Sequence, residues 1–129
     1  MVFQVGLFTF LTSQSALTDL IATRIYSRLM PQKPTLPLLV YNKISNPRVY
    51  SQDGDSGLEN PRYQFDVWAD DPDSAEQIAD ILIGILSGYK GAMGDETVGA
   101  SFVENDEDGY DAETGLYRVM VEVVFWKES

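Results

Sequence analysis

Arg62-Tyr63-Gln64-Phe65-Asp66-Val67-Trp68-Ala69 is followed closely by Ser74-Ala75-Glu76-Gln77-Ile78-Ala79-Asp80-Ile81-Leu82-Ile83-Gly84-Ile85-Leu86. In the first stretch Tyr63, Phe65, Val67 and Ala69 alternate with Arg62, Gln64, Asp66 and Trp68. Period two is the signature of a strand, here with a core face and a half-exposed face. In the second stretch Ala75, Ile78, Ala79, Leu82, Ile85 and Leu86 fall three or four residues apart. That spacing gives one apolar stripe on a helix over about 74–87. Asp73 and Glu76 stand at capping-box spacing, with Asp in place of the usual Ser or Thr. Asp70 and Asp71 suit the positive end of the helix dipole, and Gly88 is a natural stop. A strand that runs straight into an amphipathic helix sets the class: a sheet with a helix laid on it.

Reading outward toward the N-terminus, Pro37 to Ser45 forms a second strand, with Leu38, Val40 and Ile44 on one side and Leu39, Tyr41 and Lys43 on the other. Asn46 to Asn60 is polar and reads as a loop with its tip at Asp53-Gly54-Asp55-Ser56-Gly57. Pro31, Pro34 and Pro37 mark an extended, irregular connection. Before it, Phe3, Leu7, Phe10 and Leu11 predict a helix over 2–12, although Gly6 weakens it. A further helix starts at a Ser13 or Ser15 cap, carries Ala16, Leu17, Leu20 and Ile21 on one face, and ends near Thr23.

Toward the C-terminus, Thr97 to Val103 and Leu116 to Trp126 read as strands. Tyr117, Val119, Val121, Val123 and Phe125 share a face of the last one. Glu104 to Gly115 between them is acidic and turn-rich, and the spacing predicts a long hairpin. The chain is therefore expected to be one α+β domain over 1–129. It has a largely antiparallel sheet of about four strands, with helix 74–87 and the N-terminal helices packed on it. The length suits one domain, and a 44% hydrophobic fraction suffices for one core.

Composition removes several function classes. The chain has no Cys and no His. Thiolate metal sites, disulfides and Cys nucleophiles are impossible, and the commonest general base and nitrogen ligand are missing. The net charge of −11 disfavours nucleic acid and anionic membrane surfaces as partners. That charge is polarised. Residues 1–50 carry Arg24, Arg28, Lys33, Lys43 and Arg48 against Asp19 alone, a net +4, and residues 51–129 carry a net −15. The Val2–Leu11 segment lacks the basic start and cleavage site of a signal peptide. No stretch approaches the about 18 apolar residues of a membrane span. A soluble protein made in a reducing cytoplasm is expected.

No catalytic pattern emerges. Glu104-Asn105-Asp106-Glu107-Asp108-Gly109 suggests a calcium loop with Asp106 and Asp108 as third and fifth ligands and Gly109 sixth. The first position is Glu104 and the twelfth is Gly115, where a bidentate Glu is needed, so the match fails. Asp66 is expected to pair with Arg118 or Arg62. No cofactor, metal or enzyme activity is expected. Tyr50, Tyr89 and Tyr110 fall in segments read as loops, where aromatics often mark interfaces.

The order of elements resembles the tail-completion, or tail-terminator, proteins of phages with long non-contractile tails. The resemblance rests on Ala16-Leu17-Thr18-Asp19-Leu20-Ile21, then Arg24-Ile25-Tyr26, then Leu36-Pro37-Leu38-Leu39-Val40-Tyr41 with Ile44-Ser45, then Arg62 to Ala69 with the helix to Leu86. It covers nearly the whole chain. The acidic Glu104–Glu113 passage departs from the family's pattern. The resemblance implies a virion structural protein, a subunit of a homo-oligomeric ring, most often a hexamer. Such a ring caps the tail tube at its head-proximal end and joins it to the head connector. It implies the major tail tube protein, the connector or stopper protein and further copies of the chain as partners, and assembly in the host cytoplasm. The alternatives are a connector, stopper or minor tail protein or, in another class, a small calcium- or ligand-binding module. The contact residues expected are Arg48, Tyr50, Asp53 and Asp55 in the 46–60 segment, and Glu104, Asp106, Glu107, Asp108, Tyr110 and Asp111 in the 104–115 segment.

Overall fold

The computed structural model describes residues 2–51 and 54–128, with side chains described for 3–47 and 59–127. The elements in chain order are α1 (Val2–Thr12), α2 (Ser15–Ile21), β1 (Ile25–Ser27), β2 (Leu38–Ser45), β3 (Arg48–Ser51), β4 (Gly54–Glu59), β5 (Arg62–Ala69), α3 (Pro72–Leu86), β6 (Gly91–Met93), β7 (Glu96–Asp111) and β8 (Leu116–Glu128). The class is α+β as expected. The sheet has eight strands rather than about four. The additional strands come from segments too short or too polar to show an alternating apolar pattern.

β1 runs parallel to β2, and the other pairings are antiparallel. Across the middle the order is β1-β2-β5-β8, with β7 on the far side of β8 and β6 beside the start of β7. The expected loop at 46–60 is instead the outer half of a hairpin. Ser45 pairs with Arg62 and Arg48 with Glu59, so β2–β3 and β4–β5 keep one register past the Asn60-Pro61 irregularity. The 104–115 segment is corrected in the same way. β7 runs through the acidic residues to Asp111, and only 112–115 form the turn. Backbone pairing with β8 continues where the side chains become solvated, because ladder hydrogen bonds do not require apolar residues.

One face of the sheet carries the rows Leu39–Val67–Val119 and Tyr41–Phe65–Val121, with Tyr63 and Val123 beyond. The three helices lie on this face. Phe3 of α1 packs edge-on against Tyr63 and Phe125, with centroids 5.6 and 5.3 Å away. α3 buries Ala75, Ile78, Ala79, Leu82 and Leu86, as its stripe predicts, and Ile85 is half-buried. Its N-cap is Asp71, whose carboxylate accepts from the Ser74 amide at 3.0 Å. The Asp73–Glu76 box is not the cap. Pro72 fixes the first helical position and sets the start two residues earlier. The N-cap of α2 is Gln14 rather than Ser13 or Ser15, and it makes no side-chain cap hydrogen bond. Leu38 to Tyr41 are all buried, where an alternation was expected. A continuous apolar run is what a strand buried on both faces requires.

Gly6, which weakens α1 as a sequence reading, is demanded by packing. A Cβ there would lie 2.2 Å from the Met93 carbonyl oxygen. Gly94, at φ +60, comes so close that its own Cβ would lie 2.8 Å from the Gly6 Cα. The helix and the β6–β7 turn meet backbone to backbone, which only glycine permits.

Candidate functional site

The two segments expected to make contacts lie at opposite ends of the sheet. β8 runs from Leu116, beside the 112–115 turn, to Glu128, paired with Leu58 of the β3–β4 arm. Twelve strand steps separate those ends by about 40 Å. Asp53 lies outside the described residues, as do the side chains of Arg48, Tyr50 and Asp55. The backbone places Arg48 and Tyr50 on β3 and Asp55 on β4.

The other six expected residues lie on β7. Register with β8 sets their faces. Asp106, Asp108 and Tyr110 stand opposite Val121, Val119 and Tyr117, on the helix side, and Glu107 stands opposite Met120 on the reverse. Asp106, Glu107 and Asp108 are exposed and lie in none of the described ion pairs. Glu104 differs. Its carboxylate pairs with Arg62, which also holds Glu122 at 2.6 Å, so three strands are tied across the reverse face. Asp111 caps the turn by accepting from the Glu113 amide at 3.0 Å. Tyr110 packs on Tyr117, centroids 4.9 Å apart, and stays 59% exposed. The carboxylates of this segment are not gathered as a calcium loop gathers its ligands. Alternation on a strand sends successive carboxylates to opposite faces, and no cluster of three acidic residues suited to a metal occurs among the described residues.

Along its outer side β7 is paired with β6 at Glu96 to Val98, and the Ser101 carbonyl accepts from the Gly88 amide at 3.0 Å. From Phe102 to Asp111 that edge has no strand partner among the described residues. Phe102 is 52% exposed there. A depression of about 390 Å³ opens where the hairpin meets the start of α3, lined by Pro72, Glu76, Asp108, Tyr110, Tyr117 and Arg118.

The opposite edge of the sheet is β1 and, beyond its short reach, Asn42 to Ser45 of β2. The expected contact residues did not include this edge. It carries exposed Arg28 and Lys43, which share a depression with Gln4 and Asn42. Exposed Lys33 lies in the segment between β1 and β2. None of these three cations has an ion-pair partner among the described residues. Arg28 also adopts φ +74, a conformation unusual for a side-chain-bearing residue. Leu29, at 79% exposure, and Ile44 flank Arg28 and Lys43, and Val5 and Phe8 of α1 share a depression with Ser27 and Tyr41. The +4 balance of residues 1–50 is the sequence signal that pointed here.

Inside the fold, the charged groups are used for structure. Asp66 is 9% exposed, accepts from the Gln64 side-chain amide at 3.1 Å and lies 3.7 Å from Arg118, one of the two arginines expected from sequence. Burial pushes its pKa up, and Gln64 and Arg118 only partly oppose that. Burial pulls the Lys127 ammonium down, but hydrogen bonds and charges from Glu59 and Glu96 outweigh it, so its pKa is raised. Tyr63 is pushed up to about 12 by burial. A cation held charged, a carboxylate against an arginine and a phenol held neutral do not form an acid–base pair. The surfaces are suited to binding. No described helix is long and apolar enough to cross a membrane.

The tail completion protein gp17 family matches this chain over residues 5–128. The fold is similar to a chain in a solved structure described as "Virion of native gene transfer agent (GTA) particle", with a TM-score of 0.82 and 12% identity. The likeness covers 98% of this chain and 94% of that one. No curated protein matches the sequence.

Proposed function

The chain belongs to the tail completion protein gp17 family, a family of phage tail structural proteins and not of enzymes, and on that premise we propose that it is a ring-forming subunit. The ring, in this reading a hexamer, caps the tail tube at its head-proximal end and joins it to the head-side connector. The observation that carries the reading is the family match from residue 5 to residue 128. The likeness in fold to a chain of a phage-like particle supports it, as does the polarised surface. A head-to-tail ring needs two different, complementary patches on each subunit. The partners are further copies of the chain, the tail tube protein and a connector or stopper protein, and the place of action is the virion.

Light scattering of the purified protein with and without tail tubes, followed by electron microscopy of tube ends, tests this. Rings at one end of each tube are expected, and tubes so capped should join heads. A protein that stays monomeric and never decorates tube ends sinks the proposal.

A further inference from the structure

We infer that the β7 edge of one copy docks on the β1–β2 edge of the next, so that the ring is closed by acidic strands meeting basic ones. The inference rests on the ring reading and names the surfaces that build it.

Three observations carry it. The first is backbone. Both edges present strand segments without a strand partner among the described residues: Phe102 to Asp111 on one side, and Asn42 to Ser45 with β1 on the other. Unpaired N–H and C=O groups along an edge are a template for a neighbouring chain. The second is charge. Asp106, Glu107 and Asp108 line one edge, whereas Arg28 and Lys43 line the other with Lys33 in the adjoining segment. None of these six has an ion-pair partner among the described residues. The third is apolar exposure. Among the described residues the exposed large hydrophobics are Val5, Phe8, Leu29, Ile44, Phe102 and Tyr110. Phe102 and Tyr110 lie on β7, and Leu29 and Ile44 lie at the opposite edge, with Val5 and Phe8 on the adjoining face of α1.

Acidic side chains on an edge strand also serve to repel unwanted pairing. Here that repulsion selects the geometry. Two β7 edges repel, and so do two β1–β2 edges, so a two-fold dimer through either is disfavoured. Unlike edges attract, which favours a heterologous contact that propagates until it closes. Phe102 and Tyr110 give such a contact the apolar component that charge alone does not supply.

Charge reversal tests the contact directly. One variant carries Arg28→Glu and Lys43→Glu, so both of its edges are acidic. A second carries Asp106→Lys, Glu107→Lys and Asp108→Lys, so both of its edges are basic. All five residues are exposed, and each variant should melt as the wild-type protein does. Each alone is expected to lose decoration of tube ends about tenfold or more. Mixed in equal amounts they should recover it, alternating around the ring. A single chain with all five reversals should recover it for any number of subunits. If the wild-type protein forms rings and the two variants also do, or if neither the mixture nor the fully reversed chain recovers, the edge contact is wrong while the ring reading stands. If the wild-type protein forms no ring, both fall.

Discussion

The Lys127 ammonium lies 2.8 Å from the Glu59 carboxylate, and the two residues stand directly opposite each other on β8 and β4. Both side chains are almost fully buried. The same ammonium lies 3.0 Å from Glu96 at the start of β7 and 5.7 Å from the centre of the Phe3 ring on α1. Asn46 also donates to Glu59, at 2.8 Å. One cation thus fixes the root of the β3–β4 arm, the end of β8, the start of β7 and the first helix.

Lys127→Met should therefore cost about 3–5 kcal/mol, because it takes a buried counter-charge away from the Glu59 carboxylate. Chemical denaturation at neutral pH measures this. The folded pKa of Lys127 is raised above 10.5, so its contribution is complete below that value and is lost as pH rises through the folded pKa. Wild type and variant should converge in stability at strongly alkaline pH. A variant as stable as wild type at pH 7 would remove the ion pair from any structural role.

Gly6→Ala should destabilise by about 1–3 kcal/mol, since the Cβ meets the Met93 carbonyl. Gly84→Ala is the control. It lies on the exposed side of α3 with nothing within 4 Å of a Cβ, and should stabilise by about 0.5–1 kcal/mol. Thermal melts of the two should move in opposite directions. Equal shifts would contradict the backbone contact between α1 and Gly94.

Asp71→Ala should lower the melting midpoint by removing the cap on α3. Hydrogen bonds from Ser74 hold the Asp71 pKa below its ordinary value. Its contribution is therefore present above the unfolded pKa and lost as pH falls through the folded one. The gap between wild type and variant should close on acidification. A gap that persists at pH 2 would mean that the carboxylate charge is not what caps the helix.

Asp66→Asn tests the opposite sign. Burial raises the Asp66 pKa, so its charge is a cost at neutral pH that is relieved as pH falls through the folded pKa. The Asn variant should melt no lower than wild type at pH 7 and lose any advantage near pH 3. A clear loss at pH 7 would show that the Arg118 pairing outweighs the burial.

Raising salt from 0.1 to 1 M should weaken ring assembly on tube ends, because the Debye length falls from about 10 to about 3 Å. Counting decorated ends by electron microscopy gives the answer. Undiminished decoration would leave the exposed charges with no part in closing the ring.

Sequence alone determined the elements whose side chains alternate or stripe. The β5 strand ends where its alternation ends, and the α3 stripe names its buried residues. The absence of His and Cys, and the polarity of charge along the chain, also needed no coordinates. The tertiary structure alone decided what depends on residues far apart in the chain. β3, β4 and the outer half of β7 exist because a partner strand continues the ladder, and polar side chains give no periodic apolar signal of that. Gly6 looks like a helix fault until Gly94 is seen against it. The charge split also acquired a direction only from topology. Which charges share an edge is set by strand order, and strand order comes from pairings across as many as seventy residues that no local pattern encodes.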